Sequence, residues 1–436
     1  MIKILHLSDI HLGSGLNHGR INPQTGLNTR FEDFVAALTR CIDRALAESA
    51  NLVLFGGDAF PDATPAPYLQ DAFATQFRRL VDAQIPVVML VGNHDQYSQG
   101  QGGASLSIYR TLAVPGVVVG DRLETHCVQT ATGPVQIITL PWLTRSALLT
   151  RPETEGLSLA EVENRLRDRL RIALEGEFRQ LDPKVPTVLL AHAMLDTAMF
   201  GAERFLAVGK GFTLPMSLVA RDCIDYVALG HVHRHQVLCQ SPPVVYPGSI
   251  ERVDFSEEKE DKGFVWIELE QDAAEFAFEP LPVRSFRTIR VDLSEAEDPQ
   301  EVLLGAIAQH KIQGAIVRLI YQVWPDQLAL IEDAEIHAAL SSAHHYSIQP
   351  NLASHLARPR LPELTADSGL NPLEVLRTYV KHRGDLGEIE EDLIAAAEAL
   401  IEKMDWVPDE VKTQRVEEEG GVYEVTQPNQ TQLRLL

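Results

Sequence analysis

The sequence predicts an α/β protein, and three features carry that prediction. Short apolar runs bounded by glycine, proline or polar residues recur through the first 270 of the 436 residues. Amphipathic stretches with helical spacing separate many of those runs, the strand–helix alternation that builds a sheet with crossover helices. Aspartate, asparagine and histidine stand repeatedly just past an apolar run, at the strand ends where such sheets carry ligands.

KILHL (3–7) is a compact strand followed by SDIHLG, and RFEDFVAALTRCIDRALAES (30–49) has the spacing of a helix. NLVLFGGD (51–58) is the second strand, QDAFATQFRRLVDAQ (70–84) a helix, PVVMLVGNHD (86–95) and VQIITLP (135–141) further strands. LAEVENRLRDRLRIALEGEFRQL (159–181) reads as a charged amphipathic helix. PTVLLAHAM (186–194) and DYVALGHVH (225–233) are strands that end in histidines, and VVYPGSIERVDF (244–255) and GFVWIELE (263–270) read as later strands. Residues 1–282 thus form the first domain.

Past residue 283 the texture changes to strand, helix, strand, helix, strand over SFRTIRVDL, DPQEVLLGAIAQHK, AIVRLIYQVW, DAEIHAALSSA and YSIQPNL. This is a small α+β domain at 283–356. A proline-rich linker (357–370), two helices (371–406) and a polar tail (407–436) follow.

Hydrophobic residues make up 45% of the chain, enough for real cores, and no run of eighteen apolar residues exists to span a membrane. Cys41, Cys127, Cys223 and Cys239 are scattered without a CxxC pair, as expected for reduced thiols in a cytoplasmic protein. The net charge of −23 argues against a polyanionic partner. Part of that charge lies in GEIEEDL (387–393) and VEEEGG (416–421), and carboxylates that hold metal would be neutralised, so DNA binding stays open.

Five strand ends deliver Asp9 and His11, Asp58, Asn93 with His94 and Asp95, His192, and His231 with His233. In extended chain His231 and His233 point to the same side. One metal cluster accounts for all of these positions together. Mixed carboxylate and imidazole donors suit Mn²⁺, Fe or Zn more than Mg²⁺. Gly57, Gly92 and Gly230, each beside a candidate ligand, let backbone approach the cluster closely.

The order DxH, GD, GNHD, H, GHxH resembles the calcineurin-like metallophosphoesterase superfamily. The resemblance implies a two-sheet αββα sandwich with two divalent ions at the strand ends. It gives one ion Asp9, His11 and His233, the other Asn93, His192 and His231, with Asp58 bridging. That family often places an Asp or His three residues after the bridging Asp, where this chain has Pro61, then Asp62. Two such ions, about 3.5–4 Å apart, can activate water for in-line attack on phosphorus. His94 is the candidate acid for the leaving oxygen, since its neighbour Asn93 is already a ligand, and Asp95 is a candidate to orient it.

VVYPGSIERVDFSEEKEDKGF (244–264) is similar to the segment that follows GHxH in the SbcD nuclease family. That likeness implies a Mn²⁺-dependent DNA exonuclease and endonuclease for DNA-end processing. It also implies a cap domain at 283–356, helices at 371–406 that hold the SMC-like ATPase SbcC, and a homodimer. Arg20, Arg30, Arg234 and Arg252 lie near the site in sequence as candidate phosphate clamps. The alternatives are a phosphodiesterase for small substrates and a scaffold that binds DNA ends without cleaving.

Overall fold

In the computed structural model, residues 1–96, 103–143, 157, 159–199 and 213–353 are described, together with parts of 373–380 and residues 390–403. The chain divides into Met1–Leu352 and Ala353–Leu436.

The first unit opens with β1 (Ile2–Leu7), α1 (Thr29–Ala47), β2 (Leu52–Phe55), α2 (Pro67–Asp82), β3 (Val87–Leu90) and β4 (Val117–Gly120). Asn28 caps α1 by accepting from the Arg30 N–H, and Pro67 begins α2 where no helical N–H is needed. β1 to β4 run parallel, and β13 (Gly263–Glu270) and β14 (Ala273–Pro280) extend the sheet antiparallel past β1. A second six-stranded sheet joins β5 (Glu124–Thr130), β6 (Gly133–Leu140), β7 (Thr187–His192), β10 (Tyr226–Gly230), β11 (Gln236–Gln240) and β12 (Pro243–Tyr246).

Alternation along the strands sorts the apolar side chains into layers. Ile4, Leu52, Leu54, Val88 and Leu90 of the first sheet pack against Ile137, Val188, Leu190, Ala228 and Val245 of the second. The opposite face of the first sheet, with Leu5, Phe55 and Met89, is covered by Phe34 and Leu38 of α1 and Phe73 and Phe77 of α2. Leu166, Leu170 and Leu174 of the helix Leu159–Phe178 cover the far face of the second. This is the αββα sandwich that the resemblance implied, and the strand–helix alternation is that of the α/β class read from the sequence.

One polar group spans the inner layer. His6 is fully buried on β1, and burial pushes its pKa down to about 3, so the ring is neutral. Its Nε2–H donates across to the Leu229 carbonyl on β10 at 3.0 Å. That bond ties together the two strands that lead to Asp9 and to His231.

A third sheet of three parallel strands, β15 (Phe286–Asp292), β16 (Ile316–Val323) and β17 (His345–Leu352), has its own core of Ile289, Val317, Leu319, Leu303 and Ile336. β8 (Met194–Leu195) and β9 (Thr213–Leu214) make a short pair. In the second unit, helix Glu390–Lys403 buries Ile394, and Arg377 lies 3.7 Å from Glu398. The expected linker at 357–370 and tail at 407–436 lie outside the described residues.

The expected strand over 244–255 is shorter than the sequence implied. β12 ends at Tyr246, and Gly248 turns the chain at φ 81°. No other residue fits there, because a Cβ would stand 2.6 Å from the His233 carbonyl oxygen. No helix among the described residues is long and apolar enough to cross a membrane. All four cysteines are unpaired.

If the inner layer holds the sheets together, Leu190→Ala should lower the unfolding free energy by about 2–5 kcal/mol in denaturant titration. A loss well under about 1 kcal/mol would mean that this layer is not closely packed.

Candidate metal centre

The chain leaves β1 and β2 at the same end of the sheet, and the two exits are zipped together. Asp9 N–H donates to Gly57 O at 2.9 Å, His11 N–H to Asp58 O at 3.0 Å and Leu12 N–H to Ala59 O at 2.9 Å. Asp9, His11, Asp58 and His231 all have positive φ (52°, 46°, 58° and 104°). Non-glycine residues adopt that region at a cost, and such strain concentrates at functional sites. The conformation at His231 also corrects the expectation for GHVH. β10 stops at Gly230, so the two imidazoles are not on one extended chain, and they face different partners.

The first grouping is Asp9, His11 and His233, and the second Asp58, His192 and His231. A third, His11, Asp58 and His94, joins them; in each the donor atoms lie within 4.8 Å of one another. Asp58 belongs to two of the three. Its Oδ2 is 3.4 Å from His192 Nε2 and 3.7 Å from His11 Nε2. Asn93 Oδ1 sits 2.9 Å from His192 Nε2 and 2.8 Å from His231 Nδ1. Close approach is built in: a Cβ on Gly92 would lie 2.1 Å from Asp58 Oδ1, and one on Gly230 would lie 2.2 Å from Gly56 O.

The tautomers show what these residues can hold. His192 Nδ1–H donates to Gly56 O at 2.7 Å, which aims Nε2 at two oxygen acceptors, Asn93 Oδ1 and Asp58 Oδ2, where it must carry either a proton or a cation. His233 Nδ1–H donates to Glu257 Oε1 at 2.6 Å, which leaves its Nε2 aimed at His11 Nε2 at 3.0 Å. Lone pairs directed at each other repel unless a proton or a cation sits among them. Electrostatics agree. Burial opposes charge on His192, yet Asp58, Asp9 and the Gly56 carbonyl raise its pKa to about 9. Burial would likewise raise Asp58, but His192, His11 and His94 hold it well below the carboxylate range. At Asp9, burial prevails over His192 and His233 and pushes the carboxyl up. The donor set fits divalent ions.

His94 stands at the rim, half buried. Its Nδ1–H donates to the Pro61 carbonyl at 2.8 Å, leaving Nε2 to serve the site. The backbone carbonyl of Pro61 therefore orients the ring. Asp62 does not: it is exposed, and its carboxylate accepts from Thr64. Nor does Asp95, whose carboxylate accepts the N–H groups of Asp58, Ala59 and Gly92 and binds the loops to each other.

Two of the four arginines are corrected. Arg30 is fully buried, bonded to Asp33 at 2.8 Å and to the Arg252 carbonyl at 2.6 Å, with Glu251 at 3.6 Å. Arg252 spends its guanidinium on the carbonyls of Glu257, Glu260 and Arg284. Arg20 and Arg234 are exposed. Sequence reasoning missed Glu257, hidden in a run of acidic residues, and Trp142, whose ring lies 4.7 Å from that of His231.

Arg30→Met should therefore act on stability. Leaving Glu251 and Asp33 without their buried cation should cost about 3–5 kcal/mol in denaturant unfolding. Normal stability with weakened DNA binding would restore the clamp reading.

The calcineurin-like phosphoesterase family model matches residues 2–235. The DNA double-strand break repair protein Mre11 of Aeropyrum pernix is 27% identical over 308 residues, covering 68% of this chain and 64% of that protein. The SbcD component of the SbcCD nuclease of Staphylococcus epidermidis is 25% identical over 306 residues, 67% of this chain and 74% of its own length. Among solved structures, a dimetal phosphatase from Danio rerio shares 12% identity over 64% of this chain and 96% of its own, with a TM-score of 0.38. With that family match over more than half of its residues, and the motifs of its strand ends gathered in one site, the chain belongs to the calcineurin-like phosphoesterase family.

Proposed function

We propose that this chain is a two-metal DNA nuclease of the SbcD kind, a metal-dependent phosphodiesterase acting in DNA-end processing. The observation that carries the reading is the gathering of Asp9, His11, Asp58, Asn93, His192, His231 and His233 around one point, with His94 at its rim. Likeness to a DNA double-strand break repair protein and to a nuclease subunit supports DNA as the substrate.

Asp9, His11 and His233 would hold one ion, Asn93, His192 and His231 the other, and Asp58 both. The donor set suits Mn²⁺, Fe or Zn more than Mg²⁺, and Mn²⁺ is the ion that the likeness to the SbcD family favours. Such ions, when bound, supply a water nucleophile at neutral pH and offset charge on the phosphoryl oxygens. They also offset the acidic surroundings that would otherwise repel a phosphodiester. His94, its Nδ1–H fixed on the Pro61 carbonyl, acts in its doubly protonated form, giving the Nε2 proton to the leaving sugar oxygen and ending as the neutral Nδ1–H tautomer. Arg20 and Arg234 remain as phosphate contacts. Residues 283–356 act as the cap domain, and 371–406 dock the ATPase SbcC; a homodimer completes the assembly.

Asp58→Ala should lose bound metal and all cleavage, read by metal analysis and by digestion of labelled double-stranded DNA with Mn²⁺. Two tightly held ions in that variant would contradict the bridging role. His94→Gln should keep fold, metal and DNA affinity but cleave roughly 10²–10⁴-fold more slowly. On a nitrophenyl phosphodiester, whose leaving group needs no proton, the variant should recover most of that deficit. Equal losses on both substrates would make His94 a ligand or a positioning residue and withdraw its catalytic role. Wild-type protein that turns over only the nitrophenyl ester would move the assignment to small phosphodiesters, and DNA binding without any cleavage to a scaffold. Truncation after about residue 366 should spare DNA cleavage and abolish SbcC binding. Undiminished binding would place the docking element elsewhere.

A further inference from the structure

The loop 251–262, between β12 and β13, carries charges that belong inside the protein. Glu257 and Lys262 are both buried. Lys262 Nζ lies 2.8 Å from Glu257 Oε2, 2.8 Å from Glu260 Oε2 and 3.0 Å from the His233 carbonyl oxygen. Glu257 Oε2 also accepts the Val253 N–H at 3.0 Å, and its other oxygen takes His233 Nδ1–H at 2.6 Å. One acid–base pair therefore grips His233 twice, by its ring and by its backbone. A buried ion pair contributes little stability over apolar residues of the same shape, so stability alone does not account for it.

The other histidines are backed differently. His192 and His94 donate their outer nitrogen to backbone carbonyls, of Gly56 and Pro61, and His231 Nε2 is buried with no hydrogen-bond partner. Only His233, among the described site histidines, rests on a carboxylate. A carboxylate fixes the tautomer as a carbonyl does, and it also makes the opposite nitrogen a stronger donor.

We propose that Glu257, anchored by Lys262, is a positioning residue that locks His233 with a bare Nε2 and makes the Asp9–His11–His233 half of the site the tighter of the two ion sites. This rests on the metal reading above. It assigns the loop 251–262 a role in ion affinity, with no contact to substrate.

The test uses full-length, metal-stripped protein titrated with Mn²⁺ alone, free Mn²⁺ being read by electron paramagnetic resonance. Spectra of ¹⁵N-histidine-labelled metal-free protein report the His233 tautomer separately. Glu257→Leu combined with Lys262→Met removes both charges and strands neither. In that variant the tighter class of Mn²⁺ site should weaken about tenfold to a hundredfold, the weaker class should hold, and the Nδ1–H signal should disperse. Glu257→Gln with Lys262→Met keeps a neutral acceptor and should recover the tautomer but only part of the affinity, the remainder being what the carboxylate adds. Equal, wild-type Mn²⁺ binding by both double variants would overturn the proposal. So would loss of both classes in step with a lowered melting temperature, the mark of a purely structural pair. Wild-type protein that takes up no Mn²⁺ would instead overturn the metal reading itself.

Discussion

At the site the two sheets meet backbone to backbone. The loop after β2 passes so close to the end of β10 that no side chain fits between Gly56 and Gly230, and the His6–Leu229 bond holds the gap just below. Everything else depends on that approach. It brings Asp58 from one sheet within reach of His192 from the other, and puts the Asp9 carboxylate 3.1 Å from the His231 N–H. Left-handed backbone at four of the ligand positions is the local cost, and the hydrogen bonds between the loops offset it.

Charge follows the same logic. The chain carries a net charge of −23, yet among the described residues buried charges are gathered in small groups: Arg30 with Asp33 and Glu251, Lys262 with Glu257 and Glu260, Asp95 with three backbone N–H groups. The exception is the cluster around Asp58, where imidazole, amide and carboxylate donor atoms converge and only a proton on His192 offsets the carboxylate. That imbalance is what a cation would relieve, and it is confined to the end of the sandwich where the strands deliver their ligands.

Much of this was legible in the sequence, because a strand end followed by glycine and a donor residue is a local pattern. GGD, GNHD and GHVH could each be placed without knowing the sheet order. The missed strands β4, β5, β11 and β14 are the edges of the two six-stranded sheets, where one side is open and the apolar run is short or broken by polar residues, as in ETHCVQT. The arginines failed for another reason. Nearness in sequence to a ligand does not tell which way a side chain turns, and Arg30 and Arg252 turn inward to brace the loop 251–262. Glu257 was illegible because its role depends on a chain reversal at Gly248 that only the fold reveals.

The central claim is that these strand ends hold two ions that share Asp58. Anomalous diffraction from crystals soaked in Mn²⁺ tests it most directly. The account predicts two peaks, one among Asp9, His11 and His233 and one among Asn93, His192 and His231, with the Asp58 carboxylate in contact with both. A single peak, or peaks away from Asp58, would contradict it.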